Sequence, residues 1–333
     1  MRRFRPLFYF ILILALLHIL KQGFYQERAI TETLFPSPAS SDHTFFVEPE
    51  DGREPVVAAL REAKEYIWLK CYLLSDDKII DELIRAKQRG AEVKVILEEE
   101  PYGGSKLNYK TKRYLEREGI LFGWASPRFA LTHEKSIVID HKKAFIMTLN
   151  LCRSAFTNNR EYGVITTCQE EVEEVAKLFE ADWRREKYYP QEPNLVVSPQ
   201  NSRRKILGLI KRAKEKIWLA QLLMEDEEII AALRRATKRG VRVKLLLASP
   251  DKVPINKELP FREEGIQVRY LRKPHLHAKL IDFDSEIIFI GSQNCSAPSL
   301  DLNRELGILL TDKDLITRLE EIFIKDWEKG EER

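Results

Sequence analysis

The chain has 333 residues, of which 44% are hydrophobic and 32% charged, with 14 Gly, 15 Pro and 4 Cys. Those figures exclude a collagen-like, low-complexity or disulfide-scaffold protein and leave one large or two ordinary globular domains. Lys plus Arg is 55 against 52 Asp plus Glu; five of the basic and three of the acidic residues fall in the first 44, leaving 50 against 49 for the rest. A body so balanced has no global attraction for a polyanion.

Arg2, Arg3 and Arg5 precede an apolar run from Pro6 to Leu20 in which only His18 is polar. That order predicts a signal anchor over residues 1–25, with a cleaved signal and a secreted product as the alternative. The run of 15 residues rises only about 22 Å against a hydrocarbon core of about 30 Å. Spanning therefore recruits Phe24 and Tyr25, with Lys21 and Gln22 snorkelling. Ser37-Pro38-Ala39 lies far from the run for cleavage, which favours the anchor. The basic flank then places the N-terminus in the cytoplasm and the body outside. Residues 26–44, with Pro36-Ser37-Pro38-Ala39-Ser40-Ser41, read as a linker. Cys71, Cys152, Cys168 and Cys295 have no metal-ligand spacing and read mostly as buried thiols.

Beyond the linker the chain repeats itself. Ala63-Lys64-Glu65-Tyr66-Ile67-Trp68-Leu69 returns as Ala213-Lys214-Glu215-Lys216-Ile217-Trp218-Leu219, and Arg89-Gly90 as Arg239-Gly240, both at an offset of 150. From His133 the offset settles at 144 and holds through Asp182-Trp183 and Asp326-Trp327, which read as packing anchors. Two modules are expected, 45–190 and 191–333. Within the first, Val56, Leu60 and Ala63 have helical spacing, and Ile67-Trp68-Leu69 reads as a strand. Asp76 can cap a helix whose Ile79, Ile80, Leu83 and Ile84 share a face and which stops at Gly90. Val93–Leu97 is a second strand, and Ser136–Asp140 with Ala144–Leu149 a hairpin. The expected fold is α/β: two tandem homologous modules with mixed, largely parallel sheets packed about a pseudo-twofold axis, preceded by the hydrophobic helix.

The retained identities are polar. His133, Lys135, Asp140, Thr148, Asn150 and Glu161 meet His277, Lys279, Asp284, Ser292, Asn294 and Glu305, and Asn159-Arg160-Glu161 meets Asn303-Arg304-Glu305. On a strand, residues two apart share a face, so each copy offers imidazole, ammonium, hydroxyl and carboxamide on one side. Asp140 and Asp284 have the opposite parity to the lysines and read as structural partners. His275-Leu276-His277 imitates a metal-binding start, but Lys279 is a poor ligand, so no metal and no cofactor is expected.

These residues resemble the signature of the phospholipase D superfamily, His-x-Lys, four residues, Asp, six residues, Gly-Ser-x-Asn, found twice per active unit. The second copy matches in full, ending Gly291-Ser292-Gln293-Asn294; the first departs where Met147-Thr148 replaces Gly-Ser. The departure suggests a tighter or reshaped backbone there. The resemblance covers everything after the linker and implies metal-independent phosphodiester chemistry: His133 attacks phosphorus to form a phosphohistidine, and His277 protonates the departing alkoxide. It further implies that Lys135 and Lys279, with Thr148, Asn150, Ser292 and Asn294, bind phosphate and that Glu161 and Glu305 orient the histidines. The near-symmetry of the pair leaves the order of the histidines open.

A membrane anchor concentrates lipid substrate, so the reading that follows is a phospholipase D-type hydrolase cleaving phospholipid head groups, with the phospholipid membrane as partner and water as acceptor. The alternatives are a nuclease of the same superfamily, for which nucleic acid is the substrate, a cardiolipin synthase-like phosphatidyltransferase, and an inactive membrane-tethered scaffold. A monomer suffices for a complete site. Arg203-Arg204-Lys205, Arg234-Arg235 and Lys238-Arg239 read as solvated helix faces, Trp68 and Trp218 as core, and Phe122, Trp124 and Phe129 as residues able to line the entrance.

Overall fold

A computed structural model describes residues 42–101, 105–257 and 265–332. The first module runs β1 (His43–Glu48), α1 (Glu54–Glu62), β2 (Tyr66–Cys71), α2 (Asp77–Gln88), β3 (Glu92–Leu97), α3 (Leu107–Arg117) and β4 (Leu121–Trp124). It continues through β5 (Lys135–Ile139), β6 (Lys143–Met147), α4 (Arg153–Thr157), β7 (Asn159–Thr166) and α5 (Gln169–Trp183). The second opens with β8 (Leu195–Ser198), α6 (Ser202–Arg212), β9 (Lys216–Gln221), α7 (Glu227–Lys238) and β10 (Arg242–Ala248). A short 3-10 turn (Pro254–Lys257) stands where the first module has α3. Then come β11 (Ile266–Leu271), β12 (His275–Leu276), β13 (Lys279–Phe283), β14 (Ile287–Gly291), α8 (Ala297–Asp301), β15 (Glu305–Leu310) and α9 (Lys313–Lys329).

Local signals account for the repeated elements. The Asp76 carboxylate accepts from the Ile79 N–H and Asp226 from the Ile229 N–H, capping α2 and α7, and Gly90 and Gly240 follow those helices at φ of 102° and 93°. Asp140-His141 and Asp284-Ser285 all have left-handed φ between 51° and 58° and turn the β5–β6 and β13–β14 hairpins, with Lys142 N–H returning to Ile139 O at 2.9 Å. Each aspartate then accepts three backbone N–H groups: Asp140 from Lys64, Glu65 and Tyr66, and Asp284 from Lys214, Glu215 and Lys216, all between 2.8 and 2.9 Å. Those bonds fix the helix-to-strand corner and offset the strained turn, and they hold the Asp140 carboxyl below its ordinary pKa against a burial that would raise it.

The two sheets have the same strand order, β1-β7-β6-β5-β2-β3-β4 and β8-β15-β14-β13-β9-β10-β11. The sheets are mixed but not largely parallel. Among the strands of the first module, β2–β3 and β3–β4 are parallel, joined by helical crossovers, and the four other pairings are antiparallel. The physical reason is the hairpin: residues 140–142 are too few to carry the chain back for a parallel return. The first module also begins earlier than the linker reading allows. His43 and Thr44 pair with β7, and His43 Nε2 lies 2.7 Å from the buried Glu171 carboxylate. The expected anchor and the linker up to residue 41 lie outside the described residues; among the described residues no helix is long and apolar enough to cross a membrane.

One continuous apolar core joins the modules, drawing Trp68, Ile146, Val164 and Phe179 from the first and Leu280, Ile290, Ile308 and Phe323 from the second. The helices α5 and α9 are buried in it, whereas α1 with α2 and α6 with α7 cover the outer faces. Trp68, Phe179 and Trp183 form a stack mirrored by Trp218, Phe323 and Trp327. Backbone pairing also crosses the divide. Strand β12 of the second module pairs in parallel with β7 of the first, Leu276 opposite Arg160, and Thr132 bridges Arg304 in the equivalent place.

Candidate active site

The motif histidines and lysines sit at the C-terminal ends of the parallel strands, where β5 and β13 begin, and Asp140 and Asp284 lie at the opposite end. His133 precedes β5 and is fixed by the other module: its N–H donates to Arg304 O at 2.9 Å, and the His277 N–H to Arg160 O at 3.2 Å. The side chains follow the same exchange. His133 Nδ1 lies 2.9 Å from Glu305 Oε2, and His277 Nδ1 lies 2.7 Å from Glu161 Oε1. Each imidazole is thus oriented by the carboxylate of the opposite module, so neither module alone contains a finished half-site. With Nδ1–H donated to the carboxylate, Nε2 is left as the free nitrogen of each ring.

The tripeptide Asn-Arg-Glu supplies this exchange through strand alternation. Asn159 and Glu161 share one face of β7, and the Asn159 amide donates to the Glu161 carboxylate at 3.2 Å; Asn303 and Glu305 do the same at 3.3 Å. The arginines point to the other face and cross the interface. Arg160 grips Asp326 through Nε and Nη2 and is also held by Glu50, while Arg304 contacts Asp182 at 2.9 and 3.0 Å. Lys70, fully buried, joins Asp182 at 2.7 Å and Glu134 at 3.0 Å. The Asp-Trp pairs of the sequence are therefore partners of a buried ionic interface as well as packing anchors.

Lys135 and Lys279 are completely buried and each donates to the carbonyl of its own histidine, His133 or His277. Burial, helped by mutual repulsion, pushes Lys135 down to about 7; burial brings Lys279 down to about 8. Both imidazoles are lowered by burial against the pull of their carboxylates, His277 to about 4. Burial alone would raise Glu161, yet His277 and Lys279 hold it down at about 2, and Glu305 is lowered in the same way by His133 and Lys135. Asn150 and Asn294, just past β6 and β14, each carry a buried carboxamide oxygen with no partner, at equivalent positions.

The Thr148 and Ser292 hydroxyls, expected at phosphate, are committed elsewhere. Thr148 Oγ1 donates to Glu161 at 2.6 Å and accepts the Tyr162 N–H at 2.9 Å; Ser292 Oγ accepts the Leu306 N–H at 3.0 Å. Their backbones match too, since Thr148 N–H and Ser292 N–H donate to Tyr162 O and Leu306 O at 2.9 Å each. Met147 therefore does not reshape the first copy; it continues β6 opposite Gly163 and is fully buried. In the second copy a Cβ at Gly291 would lie 2.6 Å from Gly307 Cα and 2.9 Å from the Phe289 ring. Gly291→Ala is expected to destabilise the protein by about 1–3 kcal/mol, read as a lower denaturant midpoint with an unchanged slope.

Sequence reasoning missed Glu48. It lies opposite Glu161 in the β1–β7 register, fully buried, and burial pushes it up to about 8. Its counterpart opposite Glu305 is Ser198. The shared signal is weak, a residue before proline at the 150 offset, and the change of residue type hides it. Tyr72 was missed likewise; its ring packs edge-on against His133 with centroids 4.9 Å apart, where the second module has Leu222. Phe122 and Trp124 lie on the edge strand β4 beside Lys112, and Phe129 lies under Arg304. Lys205 is buried against Leu195 O rather than solvated.

The fold and the duplicated motif belong to the phospholipase D superfamily, and the chain is a member of it. More narrowly, the family described as cardiolipin synthase, PLD-like domain, matches twice, over residues 56–183 and 206–327. The chain is 25% identical over 329 residues to a protein named cardiolipin synthase 2 of Bacillus cereus, covering 83% of this chain and 63% of that one. It thus spans about three fifths of the length of the Bacillus relatives it matches. It is 26% identical over 328 residues to cardiolipin synthase B of Salmonella typhimurium, covering 83% of this chain and 79% of that one. In fold it is similar to the crystal structure of phosphatidylserine synthase from Haemophilus influenzae, with a TM-score of 0.69, 16% identity, and 92% and 91% of the two chains covered.

Proposed function

We propose that the chain is a phosphatidyltransferase of phospholipase D type, moving the phosphatidyl group of one phospholipid to an alcohol, with the glycerol head group of a second phospholipid as acceptor. The observation that carries the chemistry is the crossed pairing of His133 with Glu305 and His277 with Glu161. The relatives, named as synthases, favour an alcohol over water as acceptor; that replaces hydrolysis as the leading reading.

In this mechanism the bound phosphodiester anion raises His277 from about 4 so that its ring carries a second proton; His133 Nε2 attacks phosphorus, the bond to the head-group oxygen breaks, and His277 donates that proton to the departing alkoxide. His277, now neutral, takes the proton of the acceptor hydroxyl, whose oxygen attacks phosphorus and releases His133. Lys135 and Lys279, with the amides of Asn150 and Asn294, hold the non-bridging oxygens as charge builds. Thr148 and Ser292 act on the carboxylate-bearing strands rather than on phosphate, and Asp140 and Asp284 brace the hairpins.

The depressed lysines give this reading a pH signature. An anion in the site raises the pKa of Lys135 from about 7. Binding inorganic phosphate at pH 8 should therefore take up protons, and affinity should fall as pH rises. Calorimetry in two buffers of different ionisation enthalpy measures the uptake, and Lys135→Arg, charged at every pH, should diminish it. The function itself is tested by incubating the full chain with phosphatidylglycerol vesicles and, separately, with single- and double-stranded DNA. Formation of cardiolipin and glycerol supports transfer; phosphatidic acid as sole lipid product returns hydrolysis, and cleavage of DNA alone returns the nuclease. Activity absent from all substrates returns the scaffold.

A further inference from the structure

The exposed large apolar side chains of the first module are Leu107, Tyr109, Tyr114 and Leu121 on α3 and β4, 37–47% exposed, and Tyr189 beyond α5, 66% exposed. Leu107 and Tyr109, on the first turn of α3, stand at the end of the sheet where the site lies, whereas Tyr114 and Leu121 lie toward the opposite end, Leu121 being paired with Lys94 near the start of β3. Between Leu107 and Tyr109, the buried Asn108 donates to Tyr72 O and Glu98 O at 2.8 Å each, at the ends of β2 and β3. Tyr72 is the residue whose ring packs on His133. The second module repeats the clamp with Asn256, which donates to Leu222 O and Ala248 O, and there the neighbouring Ile255 is 42% exposed. Half-exposed apolar side chains, Leu107 and Tyr109 in one module and Ile255 in the other, therefore flank both half-sites at the same end of the molecule.

Their surroundings choose the occupant. Helix α3 carries Lys110, Lys112, Arg113 and Arg117 against a single acid, Glu116. Beneath it Tyr109 and Phe122 pack on Trp124, and Lys112 lies over the rings of Phe122 and Trp124. Glu116 lies 3.8 Å from Lys112 and Glu118 3.5 Å from Arg117, and the exposed Glu99 accepts from the Tyr109 hydroxyl at 2.9 Å. Leucine, tyrosine and tryptophan interleaved with lysine and arginine suit the boundary between head groups and acyl chains, where rings and aliphatic tips enter and cations meet lipid phosphate. We infer that the rim formed by the N-terminal half of α3, the end of β4 at Trp124 and the Pro254–Lys257 turn docks on the surface of a bilayer containing anionic phospholipid, presenting the site mouth to the membrane. The inference rests on the phospholipid reading of the same site.

The test uses the full chain, with Leu107→Trp and, as a control at the opposite end of the strands, Lys238→Trp, mixed with vesicles of brominated phosphatidylglycerol. Both variants share the N-terminal segment, so any attachment through it is common to both. Docking by the rim predicts strong quenching at position 107 and little at 238, and less at 107 with brominated phosphatidylcholine. Equal quenching at both positions, or none at 107, overturns the inference, and equal quenching by the two lipids overturns its anionic part. The combined Leu107→Ser, Tyr109→Ser and Ile255→Ser variant should lose about tenfold in rate on phosphatidylglycerol vesicles while staying within about twofold on a short-chain phosphatidylglycerol below its micelle concentration. An unchanged vesicle rate overturns docking; quenching at 107 in a protein inactive on both lipid forms overturns the functional reading instead.

Discussion

His133→Ala and His277→Ala should each lower phosphatidyl transfer by about three to four orders of magnitude, and the double variant should be little worse than either single one. The reason is that the two imidazoles perform one exchange: one forms the bond to phosphorus while the other handles the proton, so losing either stops both half-reactions. Mass spectrometry of the unsubstituted protein, denatured during turnover at mildly alkaline pH where an N–P bond survives and then digested, should find the phosphatidyl adduct on the His133 peptide; an adduct only on the His277 peptide would reverse the assignment. The carboxylates give a finer readout of the crossed pairing. Glu305 raises the His133 pKa against burial. Glu305→Gln should therefore shift the His133 titration downward and leave His277 nearly unmoved, as histidine-selective NMR can record. A shift at His277 instead would mean that pairing stays within each module.

The second large effect concerns stability. Asp182 receives two buried cations, Lys70 and Arg304, the first fully buried and the second 1% exposed. Burial of Asp182 itself would raise its pKa, but the two cations hold it down. Asp182→Ala leaves both cations in the core with one carboxylate, Glu134, nearby, and should cost about 3–5 kcal/mol, seen as a melting temperature lower by roughly 10 °C. Asp326→Ala should cost less, because Glu50 at the surface still holds Arg160. Equal losses for the two variants would show that the buried lysine adds nothing to the first cluster. Since these pairs join the modules beside the histidines, partial unfolding of Asp182→Ala should remove activity before it removes most helical signal.

Much of this architecture was legible before any coordinates. The 150 and 144 offsets announce the duplication, Asp76 announces a helix start, and the parity of Asp140 and Asp284 sets them apart from the lysines; the hairpin turns explain that parity, because both residues lie past the end of the strand. What could not be read was partnership across the modules. Local period says which face Glu161 occupies, but the residue facing it is set by how two sheets pack, and within one copy Glu161 is as plausible a partner for His133 as for His277. The share of parallel pairing was overestimated because helix-separated strands dominate the first third of each module, while the hairpin and the returning β7 and β15 add antiparallel neighbours. The resemblance implies phosphate binding by Thr148 and Ser292; here the Thr148 hydroxyl donates to Glu161 and the Ser292 hydroxyl to Leu306 O.

The most direct measurement is head-group exchange. The full chain is incubated with phosphatidylglycerol vesicles and radiolabelled free glycerol, and the lipids are separated by charge. A phosphatidyl-histidine that is resolved by alcohols predicts label entering phosphatidylglycerol, with His133→Ala abolishing it. Unlabelled phosphatidylglycerol accompanied by accumulating phosphatidic acid would contradict the account, because it would mean that water alone reaches the intermediate.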